Sequence, residues 1–258
     1  MMEKEFFDKL VSKAVLEDNE KKMMQQYKVE KAVIMAAGLG TRLRPLTNEI
    51  PKPLITVNRV RIIDTIIDAL LANGIASIYV VTGYMAEKFD VLLEKYPMLH
   101  IIHNLMYDQG NNILSVCAAG NLIAGAYVMP ADIYINNKAV FPLYQYSSNV
   151  LGYKIDDTDD WCIETDSDGV INRLGPKGKN CYKDTGIFYW SVDDGTRLSR
   201  DIREVCREQS GRQRYWSNVP FEIYKERYVS VIRECQSDDV IEIDTLSELA
   251  AIDPTYKR

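Results

Sequence analysis

Between Ala36 and Leu54 the chain reads AAGLGTRLRPLTNEIPKPL, which sets two glycines, three prolines, two arginines and one lysine directly after the apolar run AVIM. These residue types suit a polyanion. Gly38 and Gly40 let backbone N–H groups approach a phosphate closely, and Pro45, Pro51 and Pro53 remove conformational entropy from a segment that would otherwise be floppy. Arg42 and Lys52 then supply fixed positive charge. A solvated surface loop accounts for any single basic residue but not for glycine, proline and cation in combination. The Gly-Lys-Ser/Thr ending of a Walker loop is absent, as is the third glycine of a dinucleotide fingerprint, so the expected phosphate loop is of another kind.

Two acids lie far from that loop in sequence. Asp132 follows the apolar stretch AYVMPA, and Asp244 closes VIEID. Mg²⁺ takes oxygen ligands and typically binds only one or two carboxylates together with substrate phosphates, which makes Asp132 and Asp244 the metal candidates. Either also fits a turn, and Asp244, just before TLSELA, fits a helix cap. The only two histidines, His100 and His103, are three apart in an expected strand and so point to opposite faces, which suits neither a shared metal nor acid–base work. All three tryptophans, Trp161, Trp190 and Trp216, fall in the second half, beside Tyr182, Tyr189 and Tyr215.

The elements that must position these residues follow from periodicity. Residues 3–28 repeat apolar positions at helical spacing through Phe6, Phe7, Leu10, Val11, Ala14 and Val15, and are expected to pack on the domain or on a second copy. From Lys31 strands and helices alternate: strand 31–36, helix 61–73, strand 76–82, helix 86–96, strand 99–103, helix 112–123 and strand 126–131. That alternation predicts a parallel sheet, and ligands bind beyond the carboxyl ends of such strands, where the 36–54 loop and Asp132 can meet. After about residue 140 the pattern becomes NVLGYKI, WCIET, GVINRL and TGIFYW between Asp and Gly turns, which predicts short antiparallel strands. Helix 194–209, strands in VSVIRE and VIEID, and a last helix in TLSELAAID capped by Asp244 or Thr245 complete the chain. The expected class is α/β, a Rossmann-like, mixed but mainly parallel sheet flanked by helices, with an antiparallel, aromatic-rich part.

At 258 residues and 47% hydrophobic content the chain can bury a large core, and one domain with insertions is the simplest reading. A net charge of -6 opposes general binding to nucleic acid or anionic membranes, so the cations matter locally. Five scattered cysteines without a C-x-x-C pair suggest neither a disulfide framework nor zinc, and point to a reducing cytoplasm. The acidic start lacks a secretory apolar core, and no run approaches the length of a membrane span, so neither export nor membrane insertion is expected.

The loop matches the pattern G-x-G-T-R-x-x-P-x-T-x-x-x-P-K and thereby resembles nucleotidyltransferases that activate phosphorylated small molecules with a nucleoside triphosphate. Within that superfamily the chain most resembles the bacterial CTP:phosphocholine cytidylyltransferases, through VVTGY (80–84), MYDQGNNILSV (106–116), ADIY (131–134), DDWCIE (159–164), GIFYW (186–190), RYW (214–216) and IEID (241–244). The resemblance covers nearly everything after residue 29. It implies a domain over 29–258, divided into a nucleotide-binding half, 29–135, and an acceptor-binding half, 136–258, with 1–28 as a helical extension through which a homo-oligomer could form.

The resemblance implies CMP transfer from CTP to phosphocholine with Mg²⁺, giving CDP-choline and pyrophosphate. Ala37, Gly38, Leu39, Gly40, Thr41 and Arg42 would hold the triphosphate, Lys52 would sit by the α-phosphate and the incoming phosphate, and Asp132 and Asp244 would carry the metal. Gly83, Tyr84, Asn111 and Asn112 match base and ribose contacts. Trp161 and Tyr215 match the choline pocket, with Trp216 beside them and Glu242 supplying charge; a desolvated ring adds roughly 0.5 to 2 kcal/mol of cation–π attraction. One departure stands out, because Ser217 follows Trp216 where the family carries an aspartate. Phosphoethanolamine, an aminoalkylphosphonate or a sugar 1-phosphate is therefore an alternative acceptor, and a non-catalytic nucleotide-binding module is the third reading.

Overall fold

The computed structural model describes residues 2–257, so Met1 of the 1–28 extension and Arg258 of the 29–258 domain lie outside the described residues. The N-terminal segment forms not one helix but two, α1 (Lys4–Val11) and α2 (Asp18–Met24). A capping box between Glu17 and Glu20 starts the second helix and sets the break. Their apolar face, Phe7, Leu10, Met24 and Tyr27, packs on Tyr144 and Tyr146 of the same chain.

The alternating region then runs β1 (Lys31–Ala36), the short hairpin β2 (Thr56–Val57) and β3 (Val60–Arg61), α3 (Ile62–Ala72), β4 (Ser77–Thr82), α4 (Asp90–Lys95), β5 (His100–His103), α5 (Ile113–Ala119), β6 (Ala126–Pro130) and β7 (Ile133–Ile135). Strands β6, β1, β4 and β5 lie side by side in parallel. Residues such as Val33, Ile34, Val80 and Val128 are fully buried, the continuous apolar burial of a parallel sheet covered on both faces.

The later strands depart from expectation. The four short runs join into two long strands, β8 (Asn149–Thr165) and β9 (Ile171–Trp190), paired antiparallel with several register shifts. The apparent turn residues belong to the ladder: Asp157 opposes Lys179, and Thr158 opposes Gly178. Opposite charges across the pair favour that continuation. After α6 (Val192–Val205) and α7 (Gln209–Arg212), β10 (Val231–Glu234) joins the sheet, giving seven strands in the order β10-β8-β9-β6-β1-β4-β5. Outside that sheet β11 (Val240–Glu242) pairs antiparallel with β7, and α8 (Leu246–Ile252) follows. No helix of the described residues is long and apolar enough to cross a membrane.

Candidate active site

The loop after β1 is built from single 3₁₀ turns at Thr41–Leu43, Leu46–Asn48 and Lys52–Leu54. Leu43 and Leu54 anchor it in the core, and the buried Thr47 hydroxyl donates to the Gly40 carbonyl at 2.8 Å. Gly40 has φ +60, and a Cβ there would stand 3.0 Å from Thr47 and 3.1 Å from Lys52, so the position needs glycine both for conformation and for space. Gly38 instead has nothing within 4 Å of its Cβ position, which leaves its backbone open to a ligand.

Lys52 ends this loop beside two carboxylates from distant parts of the chain. Its Nζ donates to Asp132 Oδ2 at 2.9 Å, across 80 residues, and to Asp244 Oδ1 at 2.7 Å, across 192. Backbone pairing brings the acids together: β7 and β11 align Ile133 with Glu242, and the next rung is the Ile243 N–H donating to the Asp132 carbonyl at 3.0 Å. Thr245, not Asp244, caps α8 through a capping box with Glu248, which leaves the Asp244 side chain free to face the cleft. Arg42 contributes a further contact, Nη1 to Asp244 Oδ2 at 2.8 Å, from an otherwise exposed side chain.

Burial works against the Lys52 charge, but the attraction and hydrogen bonds of Asp132 and Asp244 outweigh it and hold the ammonium above its ordinary pKa. It is a fixed cation. Glu242 reaches solvent, yet desolvation against the surrounding protein, then the like charges of Asp132, Asp244 and Asp160, push its carboxyl up to about 8, with Lys183 opposing. One carboxylate oxygen from each of Asp132, Glu242 and Asp244 falls within 4.8 Å of the others. Among the described residues Asp132 Oδ1 is buried with no hydrogen-bond partner, which leaves it available to a cation. This donor set, all oxygen, fits a hard divalent ion.

The loop and the acids wall a cavity of about 370 Å³, which Ala37, Gly38, Leu39, Gly40, Thr41, Arg42, Lys52, Asn111, Asn112, Asp132 and Asp244 all line. Its position beyond the carboxyl ends of β1 and β6 is the site that a parallel sheet offers. Residues 31–193 match the family model described as nucleotidyl transferase. The chain belongs to the nucleotidyl transferase family.

This nucleotidyltransferase is 37% identical over 228 residues to the 2-aminoethylphosphonate cytidylyltransferase of Lancefieldella rimae, covering 87% of this chain and 92% of that protein. It is 30% identical over 227 residues to the choline-phosphate cytidylyltransferase of Streptococcus pneumoniae, covering 88% and 98%. The solved structure of the CTP:phosphocholine cytidylyltransferase from Streptococcus pneumoniae superimposes with a TM-score of 0.81 at 28% identity, covering 88% of this chain and 99% of that one.

Other residues singled out in the sequence take different places in the nucleotidyltransferase. Asn112 stands at the N-cap position of α5 but its side chain makes no cap bond; its Oδ1 accepts the Trp216 N–H at 3.0 Å, while Asn111 N–H reaches the Arg212 carbonyl at 2.8 Å, so the two asparagines tie the start of α5 to the 212–216 segment. Gly83 and Tyr84, expected at the base, are not among the residues that line the cavity; they brace the loop. A Cβ on Gly83 would stand 2.5 Å from Tyr107, and Tyr84 is held by its N–H to Ala37 at 3.2 Å and its hydroxyl to the Thr47 carbonyl at 2.9 Å. Trp161 meets Tyr215 edge-on at 5.0 Å, and Tyr215 is exposed. Trp216 is a correction: at 3% exposure it packs edge-on against Phe188 at 4.6 Å, so it is a core aromatic and presents no free face. Sequence reasoning passed over Tyr107 and Ser115, which line the cavity within or beside the quoted MYDQGNNILSV stretch.

Proposed function

We propose that the chain transfers CMP from CTP to a phosphate or phosphonate oxygen of a small amine-bearing acceptor and releases pyrophosphate. Phosphocholine and 2-aminoethylphosphonate are the two acceptors that its relatives suggest. The observation that carries the reading is Lys52 held between Asp132 and Asp244 in the wall of the cavity that Gly38 and Gly40 also line. That arrangement answers the main difficulty of the reaction, which is bringing two polyanions together.

An acceptor oxygen attacks the α-phosphorus in line, a new P–O bond forms, and the bond to the bridging oxygen of the β-phosphate breaks as pyrophosphate leaves. A phosphomonoester has its second pKa near 6, so the attacking oxygen is already ionised at neutral pH and no general base is required. Backbone N–H groups of the Gly38–Arg42 loop cradle the triphosphate, Arg42 neutralises its charge, and Lys52 draws the acceptor oxygen towards the α-phosphate. Asp132 and Asp244, with Glu242 beside them, would hold Mg²⁺, which supplies Lewis-acid neutralisation of the triphosphate. Asn111 and Asn112 offer amide donors and acceptors to the ribose and cytosine, and Trp161 and Tyr215 offer aromatic faces to the amine.

Pyrophosphate release measured with CTP, UTP, dTTP, ATP and GTP, each against phosphocholine, phosphoethanolamine, 2-aminoethylphosphonate and glucose 1-phosphate, tests this. CTP with an amine-bearing acceptor is expected to react fastest. No turnover with CTP, or preference for glucose 1-phosphate, would overturn the proposal.

A further inference from the structure

β9 carries one acid that the mechanism above leaves unused. Asp184 stands two residues after Tyr182, so strand alternation puts it on that side chain's face of the sheet. Tyr182 and Phe188 belong to the same apolar cluster as Trp161, Ile163 and Trp216. The ladder pairs Ile163 with Tyr182 and Cys162 with Lys183; Trp161 and Asp184, whose own ladder partners are Pro176 and Gly152, are the next residues beyond that last pair on their strands.

The surroundings of Asp184 leave its charge unanswered. The half-buried side chain accepts one hydrogen bond, from the Gly186 N–H at 2.8 Å, and joins no ion pair among the described residues. The adjacent Lys183 alternates to the other face and pairs with Asp160 at 3.1 Å. Burial pushes the Asp184 carboxyl up to about 7, the Gly186 N–H opposes the rise, Asp160 adds to it and Lys183 opposes it. No other acid serves this place from the 214–222 segment, where residue 217 is serine and Glu222 is paired with Arg214 at 3.0 Å. A desolvated carboxylate beside aromatic rings attracts a cation both by charge and through the ring faces.

We propose that Asp184, together with Trp161 and Tyr215, forms the subsite for the acceptor's ammonium group and makes the enzyme select cationic over neutral acceptors. The inference rests on the cytidylyl-transfer reading and assigns the residue that sets its acceptor class. Asp184 is a specificity residue, and it takes no part in bond making at the α-phosphorus.

The test compares wild type, Asp184→Asn and Asp184→Glu with CTP and two acceptors: the amine acceptor turned over fastest, and its amine-free counterpart, ethyl phosphate or ethylphosphonate. Wild type is expected to show a KM for the amine at least about tenfold below that for the counterpart, the size of effect a charge-assisted contact gives. Asp184→Asn is expected to raise the amine KM by about tenfold or more and to leave the KM for CTP within about twofold, while Asp184→Glu keeps most of the preference. Thermal unfolding of both variants confirms that they are folded. A wild type indifferent to the amine overturns the proposal without any variant. So does an Asn variant that keeps the preference, or a Glu variant that loses it as fully as Asn. Absence of CTP turnover with every acceptor is a separate outcome that overturns the transfer reading itself and this inference with it.

Discussion

At the carboxyl ends of the parallel strands Lys52 is nearly buried, on a loop clamped by Leu43, Thr47 and Leu54, and it meets acids fixed by the antiparallel β7–β11 pair. In the antiparallel part Trp161 and Tyr215 sit on a long β8–β9 arm with repeated register shifts and on a segment after α7, which is held by hydrogen bonds to Asn111 and Asn112 and by the packing of Trp216 on Phe188 and Trp190. The first constellation is held by backbone topology, the second by side-chain packing. A single substitution in the first removes a charge that nothing else can replace. In the second it alters the packing or polarity of an aromatic pair while the fold persists. On the proposed function, bond making at the α-phosphorus belongs to the first constellation and the choice of acceptor to the second.

The sharpest way to break that contrast is Lys52→Met. Loss of this preorganised cation is expected to lower kcat for pyrophosphate release by roughly 10²- to 10³-fold while circular dichroism stays native. Retention of more than about a tenth of the wild-type rate would show that topology is not holding an essential charge. Next in size, Trp216→Ala should cost about 3 kcal/mol or more in unfolding free energy, because the ring fills the core against Phe188 and Trp190. Trp161→Ala separates the two roles. It is expected to raise the acceptor KM by an amount worth roughly 1 to 2 kcal/mol, with a smaller change in denaturant midpoint than Trp216→Ala. A Trp216→Ala protein of wild-type stability but raised acceptor KM would reverse this assignment.

The last expected effect is on pH dependence. Asp184 titrates at about 7 in the folded protein against the usual 3.8. Between those values the folded state keeps a proton that the unfolded chain has released, so this group's contribution makes stability fall as pH rises towards 7 and level off above it. Denaturant unfolding at pH 5 and pH 8 should show wild type losing about 1 to 3 kcal/mol more than Asp184→Asn over that interval. Equal losses would mean that Asp160 and Lys183, its charged neighbours, balance the carboxyl completely.

The sequence was legible where one local rule decided the outcome. β1 spans residues 31–36, as its apolar run predicts, and α3 lies within the expected 61–73, because consecutive buried positions and the Asn-Gly stop leave little choice. The glycine, proline and cation pattern marked the loop, and the strand-end rule brought Asp132 to it. Other features depended on partners far away in sequence. Whether the Asp and Gly residues at 156–160 and 175–178 turn or continue a strand is decided by the facing charges and bulges of the other strand. The burial of Trp216 depends on Phe188 and Trp190 arriving from β9, and the reach of Tyr84 to Thr47 depends on how the loop folds over β4. Asp184 did leave a signal, an acid two residues after Tyr182 in an aromatic strand, but only the closed ladder reveals that it joins no ion pair among the described residues.

The central claim is that Asp132 and Asp244, brought together by the β7–β11 ladder and bridged by Lys52, share one divalent ion with the bound triphosphate. Mn²⁺ titration followed by the free-ion EPR signal, with a CTP analogue bridged by methylene between its α- and β-phosphates, tests it most directly. Wild type is expected to hold one ion per chain at least about tenfold more tightly than Asp132→Asn or Asp244→Asn. Equal affinity in all three proteins would contradict it.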